Sequence, residues 1–145
     1  MDKKKDIGLL IIRLGLGIMF VIHGYPKLLQ GPELWVKVGS AMQVFHINFA
    51  PAFWGFMASA SEFFGGILLI LGLFFSPACL FLFITMFVAS SMHLSSGQGI
   101  GNASHAIELA VVFFGLFFTG PGKLVAIGKG SAKPKKVVKK EYLEK

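Results

Sequence analysis

Four apolar stretches of roughly bilayer-crossing length dominate this chain: residues 7–29, 51–75, 77–94 and 104–119. A helix needs about 20 largely apolar residues to cross the hydrocarbon core. Lipid offers no partner to an open backbone N–H or C=O, so stretches of this kind become helices. The expected fold is therefore all-α, an integral membrane antiparallel four-helix bundle.

Composition agrees. The 145 residues are 54% hydrophobic and 14% charged, where ordinary soluble domains carry about 25% charged residues. The net charge of +7 would suit a nucleic-acid binder were it spread over a surface. Instead it sits at the two ends, in Lys3, Lys4 and Lys5 and then in Lys123, Lys129, Lys133, Lys135, Lys136, Lys139, Lys140 and Lys145. Lysines flanking apolar spans read as membrane-surface contacts, and no nucleic-acid partner is expected. Cytoplasmic ends and loops collect Lys and Arg, so both termini are expected on the cytoplasmic side of the membrane. The first stretch is too long, and too interrupted by Arg13 and His23, to be a cleaved signal peptide. It is read as the first span.

Local punctuation sets the expected boundaries. Gly31 and Pro32 open a short helix, Pro51 opens the second span, and Ser76 with Pro77 reads as N-cap and first residue of the third. The fourth stops at TGPG, residues 119–122, while GQGIG at 97–101 reads as a flexible loop, with Asn102 or Ser104 capping the span after it. Residues 32–47 are too mixed to span, yet Leu34, Trp35, Val38, Met42 and Phe45 recur at helical spacing. A short helix at the outer interface fits them, with Trp35 at headgroup depth, and a surface loop is the alternative. Residues 1–128 then form one transmembrane domain and 129–145 a basic, polar tail expected to be disordered or to touch anionic lipid. Gly17 and Gly24 are seven apart, as are Ala58, Gly65 and Gly72. Such small-residue seams are where membrane helices close on one another.

The polar residues inside the spans are the informative ones. Counting about 1.5 Å per residue places Arg13 shallow on the cytoplasmic side and His23 deep toward the far face. Glu62, eleven residues after Pro51, falls near mid-membrane, while His93, His105 and Glu108 lie toward the outer ends of the third and fourth spans. His23, Lys27, Glu62, His93, His105 and Glu108 are thus expected to converge in the outer half as ligand- or proton-handling groups, with Asn102, Gly66 and Arg13 in support. An ionisable group at bilayer depth persists mainly by facing the bundle interior and pairing, and Lys27, one turn from His23, is the natural partner for a carboxylate.

Glu62 stands out, isolated in ASASEFFGGILLILG with Gly65 and Gly66 leaving room one turn on. Two readings stay open, a functional carboxylate and a buried pair that only joins helices. Arg13 either snorkels to lipid phosphates or meets a ligand, and Lys27 is either the counter-charge or an interfacial anchor. No HxH, HxxxH or ExxH spacing is present, and His105 with Glu108 makes only HxxE, so no metal site is expected. Nucleotide, phosphate-loop and Ser-His-Asp patterns are missing too. Cys79, the single cysteine, reads as a small apolar packing residue.

The succession RLGLGIMFVIHGYPKL, SEFFGGILLILGLF, MHLSSGQGIGNASHAIELA and TGPGKL resembles the DoxX family of small four-span bacterial membrane proteins. The likeness runs over about residues 7–125. Arg13, Gly17, Gly24 and Lys27 match the family's first-span signature, Glu62, Gly66 and Gly72 its second, and Glu108 with residues 120–122 its fourth. FFSPAC replaces an inner-loop arginine that many relatives carry, and KLVAIG follows GPG where many have Ser and Asp. The resemblance implies an accessory or quinone-linked subunit of a membrane oxidoreductase handling thiol, sulfur or oxidative stress. Quinone is the cofactor it points to, and a soluble or membrane redox subunit the partner. A non-enzymatic module, whether transporter, small-molecule binder or assembly factor, is equally compatible with the residues, which leave catalysis and oligomeric state open.

Overall fold

The computed structural model describes residues 3–127. The polar tail from residue 129 lies outside them.

Five α-helices and one 3-10 helix follow in order: α1 (Lys3–Leu29), α2 (Pro32–Gly39), the 3-10 helix (Ser40–Phe45), α3 (Pro51–Leu71), α4 (Phe75–Ser95) and α5 (Gly99–Thr119). α1, α3, α4 and α5 are each long and apolar enough to cross a membrane. They form an all-α antiparallel bundle whose outer surface carries large apolar side chains such as Ile11, Ile22, Phe64, Phe81 and Phe118. Lys3, the α3–α4 turn and residues 120–127 lie at one end, here called the terminal end. α2 and the 3-10 helix fold against α3 at the other, the far end.

Two close seams hold the bundle. α1 lies on α3 through the glycines expected to allow it: a Cβ at Gly17 would stand 2.7 Å from the Gly66 carbonyl oxygen, and one at Gly24 would strike the Phe63 backbone nitrogen. α4 lies on α5 around Phe75, Cys79, Leu82, Met86, Ala110, Phe113 and Leu116. Cys79 is buried in this core. Phe20 of α1 reaches it edge-on to Phe113, ring centroids 5.0 Å apart. α2 is drawn equally close to α3, since Gly39 faces the Pro51 carbonyl and Gly55 the Trp35 carbonyl with no room for a Cβ.

Several boundaries differ from expectation. The second span ends at Leu71, not 75: Gly72 takes φ 62° and Leu73 N–H donates to Leu68 O at 3.1 Å, a Schellman ending. α4 starts at Phe75 rather than Pro77, after a left-handed Phe74 with φ 44°. Ser76 does not cap it, because its hydroxyl donates across to Phe117 O on α5 at 3.4 Å. α5 begins at Gly99, so the last three residues of GQGIG are helical, Gln98 holds the N-cap position, and Asn102 donates back to Gln98 O at 2.9 Å from inside the helix. Gly97 and Gly99 nevertheless form the turn into the helix, with φ of 69° and 79° that glycine adopts without strain.

Arg13 departs most from the snorkelling alternative. It is fully buried, and its guanidinium donates to five backbone carbonyls: Leu69 (3.0 Å) and Ile70 (3.0 Å) at the end of α3, and Pro121 (2.8 Å), Leu124 (3.1 Å) and Val125 (3.0 Å) in the segment after α5. The last carbonyls of a helix have no intrahelical donor and carry the negative end of its dipole, so a cation there is favoured without a carboxylate. Asp6 fixes the same segment by accepting from Lys123 N–H at 3.1 Å, and Ile127 N–H donates to Leu71 O at 3.2 Å.

Candidate functional site

Between α2 with the 3-10 helix, α3 and α4 lies a cavity of about 550 Å³. Its lining is apolar apart from Lys27, Ser61, Glu62, Thr85, His93 and the indole of Trp54. The indole nitrogen is already committed, donating to Phe49 O at 3.1 Å. Phe53, Met57, Phe81 and Ile84 line the cavity and are also exposed on the bundle's outer surface. The chamber therefore opens sideways, toward lipid, between α3 and α4.

Glu62 and Lys27 form its polar wall. The Lys27 ammonium donates to both carboxylate oxygens of Glu62, at 2.8 and 2.7 Å. The carboxylate side chain is 7% exposed and the lysine 35%. Depth and rotation follow from the α1–α3 seam: Gly24 sits against the backbone of Glu62 and Phe63, which brings Lys27, one turn later, alongside Glu62. Trp35 secures the end of α1 by donating from its indole nitrogen to Lys27 O at 3.0 Å. An ammonium has three donors. Two are spent on Glu62, leaving one for a guest.

About three turns from the far end of α4, Thr85 donates to Phe81 O at 2.9 Å and lies 3.3 Å from the Ser61 hydroxyl of α3. His93 closes the far end, its Nδ1 2.7 Å from Gln98 Oε1. An aromatic or polyene-like guest would find apolar walls, hydrogen-bond donors at the Lys27 end, and an imidazole at the His93 end.

The six residues expected to converge do not all meet. Lys27, Glu62 and His93 share the cavity, whereas His23, His105 and Glu108 are exposed on the outer faces of α1 and α5, and Asn102 is exposed near the start of α5. Glu62 and Glu108 have no common chamber. The reason is rotational: the inward positions of α5 include Ala103, Ala106, Ala110 and Phe113, and Glu108, two residues from both Ala106 and Ala110, lies about half a turn round the helix from each. Gly66 supports the site indirectly, packing α3 onto α1. Arg13 is remote from it, at the terminal end. Ser61 and Thr85 were not anticipated, since single hydroxyls in apolar spans are common and their shared level on neighbouring helices appears only in three dimensions. Among the described residues no group of three His, Cys, Asp or Glu side chains gathers as a metal site would require.

Four apolar crossings, backbone seams at glycine and a chamber open to lipid define a multi-pass α-helical membrane protein. The chain belongs to the DoxX family, whose model matches residues 8–94, from the first turns of α1 to the end of α4. No curated protein and no solved structure matches it.

Proposed function

We propose that this protein is a quinone-linked accessory subunit of a bacterial inner-membrane oxidoreductase, one that handles thiol, sulfur or oxidative stress. In this reading its chain ends face the cytoplasm and its cavity takes the ring of a lipid-soluble quinone. The observation that carries the reading is the lipid-facing cavity of about 550 Å³ with the Lys27–Glu62 pair in its wall. Its donor set fits: a flat apolar ring needs apolar walls, and its carbonyl oxygens need donors, which the remaining Lys27 N–H and the Ser61 hydroxyl supply, the Thr85 hydroxyl being committed to Phe81 O. The lateral opening suits a molecule that arrives through lipid.

A quinone, when bound, supplies the capacity to take up two electrons and two protons. The residues do the rest. Lys27 holds an acceptor oxygen and offsets the charge of Glu62, so that Glu62 exchanges a proton without leaving an unpaired carboxylate in low dielectric. His93 offers an exchange point nearer the far surface, and the apolar walls exclude water. Electrons come from a partner subunit or from a thiol or sulfur substrate.

The test is direct. Quinone should be recovered by organic extraction and chromatography of protein purified from native membranes. Membranes should reduce quinone with thiosulfate or a thiol as donor, and E62Q should lower both readouts. No extractable quinone, together with unchanged reduction in E62Q membranes, would overturn the proposal. A second reading, a non-enzymatic small-molecule binder or transporter, is favoured by one feature: both Glu62 oxygens are satisfied within the protein. Retained ligand without donor-dependent reduction selects it.

A further inference from the structure

Glu108 lies nine residues after the first residue of α5 and eleven before the last, close to mid-membrane. It is exposed on the bundle surface, and among the described residues no hydrogen bond or ion pair reaches it. A glutamate is too short to reach either membrane surface from that depth, unlike the long cationic side chains that snorkel. A carboxyl so placed is costly in lipid and persists by meeting a partner. The bundle itself provides none.

What surrounds Glu108 says what the partner is. His105, also exposed, stands one turn before it on the same side of α5. Ser104 and Gly115 flank the pair, and a Cβ built at Gly115 would meet nothing within 4 Å. Small residues above and below a polar pair allow two helix backbones to close on it. The face is also self-complementary, with an acid and an imidazole three residues apart. Copies of one chain insert in one orientation, so Glu108 and His105 of two copies arrive at equal depth without adjustment. A twofold axis along the membrane normal then brings each Glu108 toward the other copy's His105, as an isologous contact requires.

We propose that this face of α5 is the interface of a membrane homodimer, with Glu108 and His105 hydrogen-bonded across it. The inference is independent of the quinone reading, whose cavity lies between α3 and α4.

Cysteine crosslinking in native membranes tests it. S104C and G115C should each give an oxidised species of twice the chain mass. G15C, on the lipid-facing side of α1 with open space around it, should stay monomeric, and buried Cys79 should contribute no crosslink. No doubled species, equal doubling at Gly15, or an adduct of another mass from a different protein would each overturn the proposal. Glu108→Leu supplies the second measurement, because leucine suits a lipid-facing site and the monomer should stay folded. Energy transfer between labelled copies in liposomes should show dimer dissociation strengthened about tenfold or more, the loss of a symmetric pair of interhelical hydrogen bonds. Undiminished association of E108L would refute the role of Glu108.

Discussion

Lys27 Nζ lies 2.8 Å from one Glu62 oxygen and 2.7 Å from the other, a contact that joins the end of α1 to the middle of α3 across 35 positions of sequence. Neither group is stable alone at that depth. Glu62→Gln and Lys27→Met should each lower stability in detergent, by about 1–3 kcal/mol given the partial exposure of the lysine. The double variant should cost less than the sum, which a double-mutant cycle measures. Strict additivity would mean that the two groups do not interact.

The cavity predicts a separation between occlusion and chemistry. Ala58 lines it, so Ala58→Phe should fill part of the space and lower co-purifying quinone several-fold while keeping the ion pair. Its stability should change by no more than about 1–3 kcal/mol, the usual cost of overpacking. Full occupancy in A58F would place the ligand elsewhere.

Gly24 and Gly15 share α1 but not its surroundings. An alanine at Gly24 meets the Phe63 backbone, which no rotamer change can move, whereas Gly15 has nothing within 4 Å. Gly24→Ala should destabilise by about 1–3 kcal/mol, and Gly15→Ala should be neutral or raise stability by up to about 1 kcal/mol. Thermal unfolding in detergent, scored by labelling of buried Cys79, compares them.

Arg13 should tolerate no substitute. Lysine keeps the charge but has three donors on one atom, where the guanidinium presents five in a plane and reaches five carbonyls on two segments. Arg13→Lys and Arg13→Met should both cost about 3 kcal/mol or more. Both should also expose residues 120–127 to protease, and unchanged cleavage in either variant would contradict the assignment.

These cases separate what the residues disclosed from what they withheld. The four crossings were legible because lipid forces an unbroken apolar helix, and the Lys27–Glu62 pair because an isolated charge in such a stretch needs an opposite one. Gly17 and Gly24 marked a seam for the same reason. Glu108 misled because counting residues gives depth but not the direction a side chain faces, and α5 turns its alanines inward. Arg13 was unreadable for a different reason: its partners are main-chain oxygens of Leu69, Ile70, Pro121, Leu124 and Val125, and no side-chain chemistry advertises them.

The grip of Arg13 on both the α3 ending and the stretch beyond α5 has a consequence during biosynthesis. Three of its five acceptors emerge from the ribosome more than a hundred residues after the arginine itself. Until the last crossing has been made, the guanidinium in the first hairpin has only two of its five acceptors, the carbonyls of Leu69 and Ile70. A chain stalled after α4 therefore leaves the guanidinium without the acceptors of Pro121, Leu124 and Val125.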